Sequence, residues 1–166
     1  MKKKSEILRD LYYNKGKQGT NFRIFHNYME KGQKMFSKWV YYLDATIDDI
    51  KKATHRTLLI NEVVLDFDPN PSESFEDLTI RVKNVCKDLW FKRMDYVCYY
   101  TGSRGYHVHL YLKRMFFMNK ENRRSFRVNI ARFYGSELQK NSEGTGIALE
   151  NVPHWKSGKK KERCDF

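Results

Sequence analysis

Three things are scarce in this chain, and each scarcity excludes something. Cysteine occurs only at positions 86, 98 and 164. An odd number so widely spaced supports neither a disulfide framework nor a CxxC zinc site, so no zinc is expected and Cys86 and Cys98 are assigned to the interior. No apolar run is long enough for a membrane-spanning helix, and Met1-Lys2-Lys3-Lys4 does not lead into the apolar stretch of a secretory signal. The expectation is a soluble, intracellular protein with no membrane role. Acid is the third shortage: 20 Asp and Glu stand against 32 Lys and Arg, a net charge of +12. That excess asks for a polyanionic partner, nucleic acid before a membrane surface.

What is present suffices for a packed interior. With 40% hydrophobic and 15% aromatic residues, 166 residues are read as one domain or two small lobes sharing a core. We divide it into an N-terminal α/β lobe (1–57), a second half (58–155) and a basic tail (156–166).

The second half is organised around Glu62-Val63-Val64-Leu65-Asp66-Phe67-Asp68-Pro69, an apolar strand ending in two carboxylates and stopped by a proline. Strand side chains alternate, so Asp66 and Asp68 share a face while Leu65 and Phe67 enter the opposite layer. Two close carboxylates repel unless a cation joins them, and hard oxygen ligands suit Mg²⁺ or Mn²⁺. Alone, the pattern also describes two solvated acids at a turn.

In chain order, residues 3–14 read as a short helix with Ile7, Leu8, Leu11 and Tyr12 on one stripe. The pattern from Phe22 to Lys34 assigns neither helix nor strand. Phe36 to Leu43 reads as a buried strand, and Thr46 with Asp49 as a cap for a helix reaching about His55. After a strand over 58–67, Phe75, Leu78, Val82, Val85, Cys86 and Leu89 mark an amphipathic helix. Tyr96–Thr101 and Tyr106–Leu112 form a hairpin about a Gly-Ser-Arg-Gly turn. Asn119 caps a second helix with Phe126, Ile130 and Phe133 apolar and Gly135 as its stop, and residues 146–150 form a last strand. The order is β-α-β-β-α-β, the ferredoxin-like or RRM-like α+β plan, in which the first and third strands are neighbours. The carboxylates then lie beside the strand bearing His107 and His109. Two glycines around Ser103 and Arg104 let the backbone bend about a phosphate with a guanidinium at hand.

These residues resemble the archaeo-eukaryotic primases, which include the small catalytic primase subunit and primase-polymerases. Asp66-Phe67-Asp68 is similar to that family's DxD motif. Thr101-Gly102-Ser103-Arg104-Gly105-Tyr106-His107 is similar to its Gly-rich turn and GxH. The segment from Ile147 to Lys159 resembles its apolar strand and His-containing, Lys-x-Gly loop. The resemblance spans roughly residues 35–160. It implies a template-directed nucleotidyltransferase making primers on single-stranded DNA by two-metal phosphoryl transfer from nucleoside triphosphates. Asp66 and Asp68 would hold Mg²⁺ or Mn²⁺; Ser103, Arg104, His107, His154 and Lys156 would meet the triphosphate. Glu137 is where the family's third acid is expected, although that residue is usually Asp; Glu143 and Glu150 are the alternatives. His109 is left for sheet packing or template contact. The resemblance also implies a large primase subunit or helicase as partner. The lack of a Cys/His zinc knuckle implies a minimal archaeal, viral or plasmid version, or an excised domain.

Two other readings share the strand order. His107-Val108-His109 is also the His-hydrophobe-His pattern of HUH endonucleases, with Tyr134 as the nucleophile, but that reading gives no task to residues 102–105 or to the basic loop. An RRM-type binding module would place exposed aromatics on the central strands, where this chain has Asp66, Asp68 and His107.

Overall fold

The alternation along Glu62–Phe67 sorts the interior into two layers. The computed structural model describes residues 2–17, 21–154 and 157–166. In chain order these build helix α1 (Lys4–Asp10) with a π turn over Leu11–Lys15, strands β1 (Arg23–Phe25), β2 (Asn27–Glu30), β3 (Gln33–Phe36) and β4 (Val40–Tyr41), and helix α2 (Ile47–Lys52). Strands β5 (His55–Thr57) and β6 (Glu62–Phe67), helix α3 (Phe75–Phe91), strands β7 (Tyr96–Tyr100) and β8 (Tyr106–Tyr111), helix α4 (Lys120–Tyr134), and strands β9 (Gly146–Ala148) and β10 (Glu162–Cys164) follow. Two antiparallel sheets result, ordered β4-β1-β5-β9 and β10-β7-β8-β6, with β2-β3 as a separate hairpin. The fold is α+β.

One face of the second sheet is apolar. Val63, Leu65 and Phe67 of β6 and Val108 and Leu110 of β8 meet Leu78, Val82, Cys86 and Leu89 of α3 and Ala131 of α4. Full burial of each large aliphatic side chain stabilises by about 1.5–3 kcal/mol, so this layer holds the sheet to its helices. Cys86 and Cys98 are buried in it. Ser74 caps α3 through Asp77 N, Asn119 caps α4 through Asn122 N, and Gly135 ends α4 in the left-handed conformation at φ 65°.

The β-α-β-β-α-β order holds, but its last place is filled differently from the expectation. After Gly135 the chain returns along the free edge of β6, where Glu137 N donates to Asp66 O at 2.8 Å in an isolated antiparallel bridge. Strand β9, expected as the last strand of this plan, instead pairs with β5 in the first sheet. Ile147 and Leu149 find apolar cover there, against Leu58 and Val64 and against Ile24 and Leu59. The two halves therefore share a layer.

Several local expectations are corrected. Phe36–Leu43 is not one buried strand: Phe36, Tyr41 and Leu43 are exposed, and the chain passes through β4 into a 3₁₀ turn at Tyr42–Asp44. Trp39 stacks on Phe25 at 4.3 Å between ring centroids, an aromatic packing that replaces sheet pairing. The ambiguous stretch 22–34 contains β1 and most of the β2-β3 hairpin, turned at Lys31-Gly32 with both φ angles positive. The strand expected over 58–67 divides, because a turn at Ile60-Asn61 precedes β6. The Thr46 cap forms reciprocally with Asp49, but α2 stops at Lys52 and His55 opens β5. Phe133 is 72% exposed. Residues 162–164, counted with the basic tail, pair with β7.

Candidate active site

The polar face of the second sheet gathers the candidate site residues. Asp66 and His107 are opposite each other on β6 and β8, and His107 Nε2 lies 3.2 Å from Asp66 Oδ1. Lys140 Nζ stands 3.7 Å from Asp66 Oδ2, and Arg104 donates to Asp68 Oδ2 at 3.2 Å. The acids line one cleft of about 600 Å³ with Thr101, Ser103, Arg104, His107, Lys140 and His154. The glycine turn fits closely between its neighbours. A Cβ on Gly105 would collide with Phe67 O and Asp68 Oδ1, and one on Gly102, where φ is +81°, would collide with Lys159 O. Ser157 Oγ also donates to Gly102 O, so the loop after residue 157 is seated on the turn.

Behind the cleft, buried polar groups form a continuous chain. Arg56 grips Glu62 as a fork, with both N–O distances 2.7 Å. Glu62 Oε1 is 2.7 Å from His109 Nδ1, and His109 Nε2 is 3.1 Å from Lys161 Nζ. Lys161 Nζ also reaches His107 Nδ1 at 3.3 Å and donates to Ala148 O at 3.1 Å. Through His107 the chain ends at Asp66.

Burial and charge set the titration of this layer. Burial would raise Glu62 and Asp66, but Arg56 holds Glu62 well below the carboxylate range, and His107, Lys140 and Lys161 hold Asp66 below its own. Burial, then the charge of Lys161, lowers His107 and takes His109 to about 3. Burial, then Arg56, brings Lys161 down to about 7. On the far side of Lys161 and His109 lies a second cavity of about 440 Å³, bordered by Arg56, Tyr99, Tyr111 and Glu150.

No protein-family model matches the chain, and no curated protein matches it. Among solved structures, the polymerase domain of ligase D from Mycobacterium tuberculosis, in complex with DNA, superimposes with a TM-score of 0.66. The match covers 97% of this chain and 80% of that one at 10% sequence identity. The chain shares that domain's fold.

On this fold the residues singled out by sequence divide into three groups. Asp66, Asp68, Ser103, Arg104, His107 and His154 all border the larger cleft. Glu137 does not line the cleft but is joined to Asp66 through its backbone, its half-buried side chain accepting at Oε2 from Gln139 Nε2 at 2.8 Å. Burial, then the negative charges of Asp66 and Asp68, raise the Glu137 carboxyl above its usual range. The other two acids sit elsewhere: Glu143 is paired with Arg123 and Arg127, and Glu150 faces the second cavity. Lys156 lies outside the described residues. Among the described residues, no three His, Cys, Asp or Glu side chains form a ready cation cluster.

The structure also bears on the other two readings. Tyr134 OH donates to Asp88 at 2.7 Å on the helical layer, while both histidines point to the opposite face of the sheet. Lys161 Nζ occupies the space between the two imidazoles that a shared metal would need. The aromatics of β8, Tyr106 and Tyr111, are buried, contrary to an RRM platform.

Sequence reasoning missed Lys161, Lys140 and the Arg56–Glu62 pair. Glu62 gave a signal: a charge at the head of an apolar strand, on the face of Asp66, requires a buried partner. Lys161 gave none, because Lys159-Lys160-Lys161 reads as a solvated run.

Proposed function

We propose that the protein is a template-directed nucleotidyltransferase of the primase or primase-polymerase kind, acting on single-stranded DNA. The observation that carries this reading is that Asp66 and Asp68 share one cleft with Arg104, His107 and His154, on a fold common to a polymerase domain solved with DNA. Phosphoryl transfer asks a protein mainly for positioning and charge neutralisation, and this cleft sets acids and basic side chains side by side.

Asp66 and Asp68, on one cleft, are hard oxygen ligands of the kind a divalent cation takes. Asp66 is held ionised, and the negative charges of Asp66 and Asp68 raise the Glu137 carboxyl. Asp66 and Asp68, with Glu137 as the third carboxylate, would hold Mg²⁺ or Mn²⁺, which when bound supplies Lewis-acid charge at the reacting phosphate. The other residues bind and orient. Arg104 is 74% exposed in its pair with Asp68, and such pairs are worth about 0–1 kcal/mol, so its guanidinium is released to a triphosphate at little cost. His107 presents Nε2 toward the same space, and Ser103, His154 and Lys156 add polar and basic contacts around the phosphates. At the cleft, Lys34 lies over the exposed ring of Phe36, a basic and aromatic margin suited to a template strand. A helicase or large primase subunit would deliver that strand.

Incubation with single-stranded DNA, Mg²⁺ or Mn²⁺ and labelled nucleoside triphosphates tests the reading. Extended products that disappear in Asp66→Asn and Asp68→Asn are expected. No product with either metal, with or without an annealed primer, would sink it.

A further inference from the structure

Lys161 is 3% exposed, and its Nζ meets three acceptors: Ala148 O, His107 Nδ1 and His109 Nε2, at 3.1, 3.3 and 3.1 Å. An ammonium has three N–H bonds and no lone pair, so each contact requires a lone pair on the partner. Burial and the charge of Arg56 bring Lys161 down to about 7, against the fields of Glu62, Glu150 and Asp66, so the ammonium is the form present below that pH. A neutral imidazole that accepts at one nitrogen carries its proton on the other. His107, accepting at Nδ1, therefore holds its proton at Nε2, the atom 3.2 Å from Asp66 Oδ1 at the cleft. His109, accepting at Nε2, holds its proton at Nδ1, 2.7 Å from Glu62 Oε1. The second contacts agree independently, because each of these protonated nitrogens meets a carboxylate oxygen, which accepts.

We propose that Lys161 is a positioning residue that fixes the two histidines in opposite tautomers and thereby keeps the Nε2–H of His107 aimed into the cleft. One cation, supplied by the residue just before β10 and remote in sequence, sets the direction of donation at both ends of the polar chain. The consequence for a triphosphate, that an N–H rather than a lone pair meets a phosphate oxygen, rests on the nucleotidyltransferase reading; the tautomers do not.

The test is a two-bond ¹H–¹⁵N correlation of the imidazoles in uniformly labelled protein at about pH 6, where Lys161, brought down to about 7, is still an ammonium and burial, which lowers both His107 and His109, keeps their rings neutral. In the unaltered protein His107 should show a protonated Nε2 and an unprotonated Nδ1, and His109 the reverse. In Lys161→Met, His107 should shift toward the averaged pattern of a mixture, while His55, bonded through Nδ1 to Thr54 Oγ1, keeps its pattern and reports an intact fold. A protonated Nδ1 on His107 in the unaltered protein would overturn the proposal whether or not the variant folds. An unchanged His107 in folded Lys161→Met would overturn it equally. Loss of a hydrogen bond to a charged group should raise the KM for nucleoside triphosphate in Lys161→Met by roughly tenfold or more. Correct tautomers in a protein that never extends DNA would defeat the enzymatic reading and leave the Lys161 assignment intact.

Discussion

His107 and Asp66 face each other across β8 and β6, imidazole Nε2 to carboxylate Oδ1 at 3.2 Å, and this contact changes what the acid pair means for stability. From sequence, the two aspartates are a repelling pair whose removal relieves the fold. For Asp66 the balance is opposite: burial would raise its carboxyl, but His107, Lys140 and Lys161 hold it ionised. Asp66→Asn should abolish transfer and lower stability by about 1–3 kcal/mol through the lost charged contact. Asp68→Asn, whose partner Arg104 is exposed, should abolish transfer with little change in melting temperature. Paired melting and extension assays separate the two, and a stabilised Asp66→Asn would restore the repelling-pair picture.

Glu137 and Glu150 should behave oppositely. Burial and the charges of Asp66 and Asp68 raise the folded pKa of Glu137, so its ionised form opposes folding as pH climbs through that value. Without divalent metal, Glu137→Gln should therefore melt higher than the unaltered protein near pH 7, and the gap should close below the usual carboxylate range. The same variant should bind Mn²⁺ more weakly by calorimetry. Glu150→Gln, facing the second cavity, should leave Mn²⁺ affinity unchanged. The reverse pattern would move the third ligand to Glu150.

Buried neutral histidines should make the protein acid-sensitive above the range of its carboxylates. Burial, assisted by Lys34 and Lys161, takes His55 to about 4, and burial with Lys161 takes His109 to about 3. Both values lie below an unfolded value of about 6.5, so the stability each contributes is complete above about pH 6.5 and is lost as pH falls through the folded pKa. Urea unfolding should give a free energy that declines as pH falls below about 6.5. His55→Gln should reduce the slope between about pH 6.5 and 4; an unaltered slope would remove His55 from this account.

Tyr134 should matter only for packing. Its hydroxyl donates to Asp88, so Tyr134→Phe should cost about 0.5–1.5 kcal/mol and leave nucleotide transfer intact. No covalent protein–DNA adduct should appear on a denaturing gel. His109→Asn, which the sequence reading would tolerate as a change in sheet packing, should instead destabilise by about 1–3 kcal/mol, because Glu62 and Lys161 are left buried without its ring. An adduct lost in Tyr134→Phe would revive the endonuclease reading.

Gly105→Ala should be among the most damaging small substitutions near the cleft. Its Cβ would be driven into the backbone carbonyl of Phe67 as well as Asp68 Oδ1, and backbone cannot swing aside as a side chain can. Extension activity should fall while far-ultraviolet circular dichroism stays near that of the unaltered protein. Full activity would show that the turn and the acid are not mechanically joined.

How much of this was legible follows from the range of each signal. Period-two alternation is local, so Asp66 and Asp68 were read onto one face, and the strand plan put them beside the strand of His107 and His109, where Asp66 meets His107. Thr46, Asn119 and Gly135 act within a few residues, and their caps form as read. The pairing of β9 with β5 was not legible, because Ile147 and Leu149 satisfy any apolar surface and only the assembled first lobe offers one. Lys161 was illegible for a related reason. Nothing within a run of lysines distinguishes the one that turns inward, and its partners belong to β8 and β9, distant in the chain.

The placement of Lys161 has a consequence for the order in which the molecule can be assembled. Glu62 and His109 are synthesised well before the residue that donates to the outer nitrogen of His109, and β10 joins the sheet only through β7. Pairings so distant in sequence form late, after loop closure has been compensated by other contacts. A chain caught on the ribosome before β10 emerges would hold its helices against the apolar face of the sheet while the polar face waited for its cation. The two aspartates would then be in place before the imidazole beside them was oriented.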